Sequence, residues 1–499
     1  MRRGAAVATV LCAGVCIGAL GASAAGQPSP VRFGVADDTG KYANDGGAAF
    51  FAQIASLGLR DDRMTVIWDP AHPTVITDRP FLDRSISTAV ADGVQVRLAV
   101  RPATATAIGT SAVRAKSFAS FVASLAERYP QVQTFVVGNE PNQPRFWQPQ
   151  FVKGKPVAAI GYERMLAATY DALKAVDPSV TVVGGVLSSR GNDDPQATSN
   201  ASTSPVRFIA DMGAAYRASG RTKPLMDQFG FHAYPRSNRD SLATGLDWPN
   251  AGFANLARVK QALWDAFNGT AQPTIENGLR ISIDEIGWQT AVPAASLSAY
   301  TGTETVPVTS DAAQATIYGQ IIAKAACDPS ISSVLFSPFI DESQLSGFQS
   351  GLERADGTKR PSYTIVKAAL AAGPRCAGAT VLWAHTNTVV GARALFGSTN
   401  ITHWWKQRVW SFGVRVGEDA TYRASIVPVA GRGVLSTRQA LKTKPVLTTR
   451  GYAKAAWTPL VRFPLKRLAP GRYAYVIDLH AALAPARHRV LVSRTFAVR

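Results

Sequence analysis

The stretch Thr-Phe-Val-Val-Gly-Asn-Glu-Pro-Asn, residues 134–142, is a β-branched and apolar run that stops at a carboxylate, Glu140. The stretch Ile-Ser-Ile-Asp-Glu-Ile-Gly-Trp, residues 281–288, repeats this arrangement with Glu285. Each run predicts a short buried strand, so each glutamate lies at the C-terminal end of its strand. In a barrel of parallel strands this end is where active sites are built. The two stretches therefore predict a parallel barrel with two carboxylates at one mouth.

The rest of residues 30–372 alternates strand-like and helix-like runs, which predicts βα units around a parallel sheet. The eight strand candidates are Val31–Ala36, Met64–Trp68, Gln95–Arg101, Thr134–Gly138, Thr181–Leu187, Gln228–Tyr234, Ile281–Asp284 and Ser333–Phe336. Eight such units close into a (β/α)8 TIM barrel. The competing arrangement is an open doubly wound sheet, whose marker is a glycine-rich phosphate turn after an early strand. The sequence lacks that turn, which favours the barrel.

After Gly373-Pro374 the chain changes to alternating, β-rich segments with turn signals between them. This pattern predicts a small all-β sandwich of the immunoglobulin-like or fibronectin-like kind. With 499 residues the chain is longer than one core usually serves. We therefore predict a signal peptide at 1–25, a catalytic barrel at 30–372 and a basic accessory sandwich at 380–499.

The first residues read as an export signal: a positive start, the apolar stretch Ala5 to Leu20, and Ala22-Ser23-Ala24 as a small-residue cleavage site. This predicts a secreted protein. An uncleaved membrane anchor is the alternative, although the apolar core is short for a span. Removal of the leader leaves Cys327 and Cys376, an even pair in an exported chain, which favours one disulfide over two buried thiols.

The net charge of +19 is concentrated in the C-terminal part, where residues 377–499 hold 19 Lys/Arg against 3 Asp/Glu. Such a field can hold an enzyme near acidic wall polymers or lipid headgroups. A soluble basic surface with no partner is an equally open interpretation. The leader argues against nucleic acid as a partner. The histidines are scattered and no Cys/His cluster has metal-ligand spacing, so no metal or other cofactor is predicted.

Two carboxylates at one barrel mouth can flank a glycosidic bond, one as acid/base and the other as nucleophile. Asn139-Glu140-Pro141 after the fourth strand and Glu285 after the seventh resemble the clan A glycoside hydrolases, which are (β/α)8 barrels that retain anomeric configuration. The resemblance spans residues 31–372. It implies that Glu140 is the acid/base, Glu285 the nucleophile, and Asn139 a hydrogen-bond partner of the sugar 2-hydroxyl.

Further matches to this clan lie on other strands. Gly58, Arg63 and Trp68 resemble the second-strand pattern of the family thirty-nine and family five relatives, in which an arginine braces the nucleophile and keeps it ionised. His232-Ala233-Tyr234 resembles the clan's His-x-Tyr after strand six. There the tyrosine hydrogen-bonds the nucleophile and the histidine lies near the acid/base. The resemblance therefore adds Arg63, His232 and Tyr234 to the site.

Many clan members carry a tryptophan at the end of strand eight, where this chain has Ser-Pro-Phe-Ile-Asp-Glu, residues 337–342. Phe339 is the nearest aromatic substitute. Trp68, Trp147 and Trp288 are candidates for stacking on sugar faces, with ordinary packing as an equal explanation. In the C-terminal part, His403-Trp404-Trp405 and Trp410 suggest either carbohydrate binding or sandwich core, and strand spacing favours the core.

The sequence as a whole predicts a secreted retaining β-glycosidase that hydrolyses a β-linked glycan of glucan, xylan or mannan type. A non-hydrolytic glycan-binding or wall-associated protein on the same barrel is the main alternative. A transglycosylase that uses the same residues is a second one.

Overall fold

The computed structural model describes residues 30–373, 376, 382–396, 402–404, 407–431, 433–464 and 468–498. The predicted signal peptide at 1–25 lies outside this range. Within the described ranges, no helix combines the length and the apolar character needed to cross a bilayer.

Eight parallel strands close into a barrel in the order β1–β8–β7–β6–β5–β4–β3–β2. Their bounds are β1 (Arg32–Val35), β2 (Asp61–Trp68), β3 (Gln95–Pro102), β4 (Thr134–Val137), β5 (Thr181–Ser188), β6 (Gln228–His232), β7 (Arg280–Ile286) and β8 (Ile331–Phe336). Each of the eight runs predicted from the sequence forms one of these strands. The predicted TIM barrel is confirmed.

Helices pack around the barrel, and the first two lie together between β1 and β2. The helices are α1 (Thr39–Tyr42), α2 (Ala48–Ser56), α3 (Arg79–Ala91), α4 (Ala112–Arg128), α5 (Ala158–Val176), α6 (Pro205–Ser219), α7 (Leu256–Phe267), α8 (Asp311–Ala326) and α9 (Pro361–Ala372). Local sequence sets their ends. Ser310 caps α8 by accepting from the Ala313 amide, and Gly220 ends α6 with a left-handed φ of 66°.

The inside of the barrel is unusually polar for this fold, whose interior is normally filled by branched apolar side chains. Arg97 donates to Asp61 at 3.3 Å and to the Ser282 hydroxyl at 3.2 Å. Ser282 in turn hydrogen-bonds Ser333 at 2.7 Å and contacts Asp284. Asp284 is therefore part of the interior network.

Asp62 lies on the opposite face of β2 and is fully buried, and both of its carboxylate oxygens lack a hydrogen-bond partner among the described residues. Burial raises the pKa of the Asp62 carboxyl well above its usual range, and the negative charges of Asp37 and Asp38 add to this. The folded protein therefore keeps Asp62 protonated at pH values where the unfolded chain ionises it.

We expect Asp62→Asn to stabilise the protein at neutral pH. A raised folded pKa means that stability falls as pH rises from the unfolded value near 4 to the folded value, by about 1.4 kcal/mol per pH unit. The amide does not titrate, so the difference in unfolding free energy between the variant and the wild type grows over that pH range. Thermal unfolding of both proteins at pH 4 and pH 7 measures it. An advantage that does not increase between these two pH values contradicts the prediction.

The C-terminal part folds into two antiparallel sheets with a short helix, α10 (Thr437–Lys442), beside them, as expected for a sandwich. One sheet has the order β9–β12–β15, and the other has β14–β13–β16–β17, with β18 also paired to β16. A hairpin, β10–β11, completes the set. The strands are β9 (Arg393–Leu395), β10 (Thr402–Trp404), β11 (Gln407–Val409), β12 (Ser411–Arg415), β13 (Ala420–Pro428), β14 (Leu447–Ala453), β15 (Leu460–Arg462), β16 (Gly471–Ala481), β17 (Ala484–Val492) and β18 (Phe496–Val498).

The core of these sheets is aromatic. Trp410 is 5% exposed, and its ring centroid lies 5.4 Å from that of Phe496. The core interpretation of Trp410 is thereby confirmed. The side chains of His403 and Trp404, and Trp405 as a whole, lie outside the described residues.

Several contacts join the barrel to the C-terminal part of the chain, among them a disulfide and a buried group of ion pairs. Cys327 and Cys376 form the predicted disulfide, which ties the end of α8 to the segment after α9. Arg487 on β17 is buried and ion-paired both to Glu418, at 2.5 Å, and to Asp265 on α7, at 3.0 Å.

Candidate active site

Glu140 follows β4 in a strained backbone conformation. Gly138 has a φ of 87°, and Glu140 itself has a φ of 40°, which an L-residue rarely adopts. The Glu140 amide donates to the carbonyl of Val186 on β5 at 2.9 Å, which holds the turn in place. Strain of this kind costs about 1–3 kcal/mol and persists where the surroundings enforce it, typically at functional sites. The turn aims the Glu140 carboxylate into the barrel mouth.

A β-bulge aims Glu285. The register between β6 and β7 pairs Phe231 with Ile283 but His232 with Glu285, so one residue of β7 is extra at this point. Without the bulge, alternation would turn Glu285 away from the face that carries Asp284. A bulge reorients the next side chain, and bulges are common beside active sites. The irregularity thus brings Glu285 to the mouth, where 18% of its side chain remains exposed.

Fixed donors hold both oxygens of Glu285. Arg63 Nη1 donates to Oε1 at 3.0 Å, while its Nη2 donates to Asn139 Oδ1 at 2.8 Å. The Tyr234 hydroxyl donates to Oε2 at 3.1 Å. Burial raises the pKa of Tyr234 well above its usual value, and the charge of Glu285 adds to this. Tyr234 therefore stays a donor, and Arg63 links the carboxylate of Glu285 to the amide of Asn139.

His232 lies between the two carboxylates and is fully buried. Its Nδ1 is 3.0 Å from Glu140 Oε1 and 3.4 Å from Glu285 Oε2. Burial lowers the pKa of His232, but the attraction of Glu285 and the hydrogen bond to Glu140 outweigh it, so the pKa rises above its usual value. Because both distances share one nitrogen, the two carboxylate oxygens lie at most about 6.4 Å apart, the sum of the two distances.

Asn142 fixes the loop that carries Glu140, a role that the sequence analysis missed. It is fully buried. Its amide nitrogen donates to the carbonyls of Thr203, at 2.9 Å, and Ser188, at 3.2 Å, and its oxygen accepts from the Ser188 amide at 2.9 Å. The loops after β4 and β5 are thereby joined beside the turn that carries Glu140. The second asparagine of Asn-Glu-Pro-Asn was the available signal.

The two glutamates line a cleft, which has two chambers that meet at Glu285. The arginine chamber, about 630 Å³, is lined by Glu140, Glu285, the arginines 145, 190 and 236, and the polar and aromatic side chains around them. The acidic chamber, about 410 Å³, is lined by Glu285, Arg63, Tyr42 and the carboxylates Asp37, Asp38, Asp341 and Glu342. Glu342 lines both chambers, whereas Glu140 lines only the arginine chamber.

The tryptophans predicted to stack on sugars are buried against the barrel helices, so this prediction is wrong. Trp68 is 1% exposed and packs edge-on against Phe118 of α4. It shares the outward face of β2 with Met64 and Val66, so alternation points it at the helices. Trp147 is 3% exposed and packs edge-on against Tyr162 of α5. Neither ring has a free face.

The same correction applies to the other two aromatic candidates. Trp288 is 2% exposed, and its indole donates to the Asp240 carbonyl at 2.9 Å. Phe339 is fully buried and packs edge-on against Phe50 of α2. The aromatic residues that line the arginine chamber are instead Phe146, Tyr234 and Phe348. Phe348 is 37% exposed and stacked on Tyr234 with a ring-centroid distance of 5.6 Å.

A set of potential metal ligands lies on the C-terminal sheet and not in the cleft. The ligand atoms of Asp478, His480 and His488 all lie within 4.8 Å of one another. His480 and His488 are paired across β16 and β17, which sequence spacing alone did not indicate.

No known family model and no curated protein sequence matches this chain. Solved structures with a similar fold include a family 39 glycoside hydrolase from the gut symbiont Bacteroides cellulosilyticus WH2, at 13% identity and a TM-score of 0.48, covering 88% of this chain and 81% of that one. A glucosidase from Croceicoccus marinus matches at 11% identity and a TM-score of 0.47, covering 89% of this chain and 96% of that one. Xylanase 10B from Thermotoga maritima matches at 15% identity and a TM-score of 0.43, covering 69% of this chain and 95% of that one. These are distant likenesses of fold, so a functional assignment has to rest on the site itself.

Proposed function

We propose that the protein is a retaining β-glycosidase in which Glu285 is the nucleophile and Glu140 the acid/base. The observation that carries this proposal is the pair of carboxylates at 3.0 Å and 3.4 Å from one histidine nitrogen. Retaining enzymes place the two carboxyl groups about 5–5.5 Å apart, whereas inverting enzymes need about 6.5–9.5 Å to admit water. The facing oxygens lie at most about 6.4 Å apart, so the two carboxylates are close neighbours. The retaining assignment combines this closeness with the clan resemblance of Asn139-Glu140-Pro141 and Glu285.

The proposed reaction has two displacements. In the first, a Glu285 oxygen bonds to the anomeric carbon while the bond to the leaving oxygen breaks, and Glu140 gives that oxygen its proton. In the second, water attacks the anomeric carbon, passes a proton to Glu140 and frees the Glu285 carboxylate. Arg63 and Tyr234 hold the nucleophile in position, and Asn139 is left to bind the sugar beside it. No step requires a metal or an organic cofactor.

The proposed substrate is a β-linked glycan outside the cell. Export is inferred from the leader-like residues 1–25, and glucan, xylan and mannan are the first glycans to test. The excess positive charge of residues 377–499 supports retention near acidic wall polymers or a membrane surface, which would show as binding that weakens with added salt.

Incubation with a panel of 2-deoxy-2-fluoro glycosides with good leaving groups tests the proposal. The fluorine slows both steps, and the good leaving group restores the first, so the glycosyl-enzyme accumulates. We expect the intact mass to rise by one fluorosugar, on the peptide that contains Glu285. The glycone that labels the protein also identifies the sugar.

Other outcomes would favour the rival functions. Hydrolysis of a β-glycan with inversion, or an adduct on another residue, would contradict the proposed mechanism. Glycan binding without any turnover would favour a non-hydrolytic binding protein. Transfer of the labelled sugar to an added acceptor in preference to water would favour a transglycosylase.

A further inference from the structure

The wall of the arginine chamber holds three arginines beside the carboxylates of Glu140, Glu285 and Glu342, and Glu285 already has Arg63 as its ion-pair partner. Arg145, Arg190 and Arg236 come from the loops after β4, β5 and β6, and all three are exposed in the chamber wall. Arg236 pairs with Asp240 at 3.4 Å. Within the part of the chain that the structure describes, Arg145 and Arg190 form no ion pair. Arg190 donates to the Arg236 carbonyl at 3.0 Å.

Arg145 belongs to a wider group of cations. Its guanidinium lies 5.5 Å from the ring centroid of Phe146, and Arg101 lies 5.8 Å from the same ring. Burial lowers the pKa of Arg101, and the charges of Arg63 and Arg145 lower it further. Like charges crowd this side of the cleft, and an anion placed there would be attracted by all of them.

The two chambers have different places in the proposed reaction. The leaving group departs on the side of the acid, and Glu140 lines only the arginine chamber. The sugar that Glu285 attacks therefore lies beside Glu285 and Asn139, where the chambers meet, and extends toward the acidic chamber, and the leaving sugar lies in the arginine chamber beyond Glu140. Among the described residues, Glu342 is the one carboxylate that lines the arginine chamber besides Glu140 and Glu285. It lies at the junction with the acidic chamber and interacts with the charge of Arg145.

From this placement, and resting on the proposed function, we propose that the leaving-side subsite binds a uronic acid, so that the substrate is an acidic β-glycan cleaved before a uronate residue. Arg145 and Arg190 bind the carboxylate through charge-assisted hydrogen bonds. Neutral groups in the same wall suit the remaining hydroxyls of a sugar. Gln289 lines the chamber, and its Oε1 is buried without a hydrogen-bond partner among the described residues. Phe348 offers an apolar face.

The test compares two disaccharides that share the glycone that labels Glu285 and differ on the leaving side, one ending in D-glucuronate and the other in D-glucose. We expect wild-type kcat/KM to favour the glucuronate. In the Arg145→Gln/Arg190→Gln double variant we expect this preference to fall by at least about tenfold, the scale of one charge-assisted hydrogen bond. The matched control is Arg84→Gln, because Arg84 also lies over a phenylalanine ring, at 5.7 Å from Phe81, but lines neither chamber. It should keep the wild-type preference.

Two kinds of failure are separable. If wild-type protein hydrolyses both disaccharides equally, or if the double variant keeps the preference, the uronate proposal is wrong and the glycosidase proposal survives. If no fluorosugar labels the protein and no β-glycan is hydrolysed, the proposed function fails. Calorimetric titration with oligoglucuronate and with a neutral oligosaccharide of equal length then decides whether the chamber selects the acidic sugar.

Inorganic sulfate distinguishes an acidic sugar from any oxyanion. At constant ionic strength, sulfate should compete with the glucuronate substrate far more weakly than glucuronate itself does. Equal competition by sulfate would show a general anion site and overturn the uronate assignment. The same measurement on the double variant should show little competition by either anion.

Discussion

Replacing Glu285 with glutamine should lower kcat by about 10⁴- to 10⁶-fold on every glycoside that the protein hydrolyses, the scale reached when a catalytic nucleophile is removed. The amide has the size of the carboxylate but cannot bond to the anomeric carbon in its place. Its oxygen can face Arg63, and its NH2 group can donate to the Tyr234 oxygen, which turns its own proton away. The fold and the ground-state contacts are therefore kept while the first displacement is lost.

The control for this variant is Glu127→Gln, the same chemical change on an exposed part of α4 that lines neither chamber. It should hydrolyse like the wild type. Both proteins should unfold at similar temperatures. Retention of more than about a hundredth of the wild-type kcat by Glu285→Gln would be too much for loss of the nucleophile, and would move that role to another group.

Azide tests the role of Glu285 as nucleophile, and a misfolded variant would not give the expected result. In Glu285→Ala a small anion can occupy the space of the lost carboxylate and attack the anomeric carbon from the same face. One displacement then occurs instead of two, and the glycosyl azide has the inverted configuration. A product of retained configuration from this variant would contradict the assignment of Glu285.

The barrel was predictable because its signals are local. Each strand contains a short apolar run, and the strand ends place Glu140, His232 and Glu285 at one mouth whatever the loops do. Arg63 lies near the start of β2 and reaches Glu285 from there. Hydrogen bonds join Arg63 and Tyr234 to Glu285, and His232 to Glu140. The bulge that aims Glu285 could not be predicted, because it depends on the register with a strand about fifty residues away.

The aromatic predictions failed for a related reason. A tryptophan near a strand end faces either the cleft or the surrounding helices. Which of the two it faces depends on its place in the alternation of side chains along the strand and on whether a neighbouring helix covers it. Trp68 falls on the outward parity, and α4 covers it. Phe348 and Arg145 lie on loops, and amino-acid composition does not determine the path of a loop. The residues that line the chamber could therefore be identified only from the three-dimensional structure.

The second large effect is expected at Glu140. Glu140→Gln should reduce kcat/KM by about 10²- to 10⁴-fold on substrates whose leaving group is a sugar, because that oxygen needs a proton as its bond breaks. Leaving groups that are stable as anions, such as dinitrophenolate, need no proton, so the first step with them should be nearly preserved. The glutamine oxygen can still accept from His232 Nδ1, so the geometry of the pair is retained.

The loss at Glu140 should therefore depend on the leaving group, whereas the loss at Glu285 should not. With a dinitrophenyl glycoside, Glu140→Gln should release a rapid burst of phenolate and then turn over slowly, because no base remains to activate water. Azide should accelerate that slow step and give a glycosyl azide of retained configuration, since Glu285 still makes the first displacement. An equal loss on sugar and dinitrophenyl leaving groups would show that Glu140 does not supply the proton. It would leave the short contact to His232 as a structural feature of the barrel mouth.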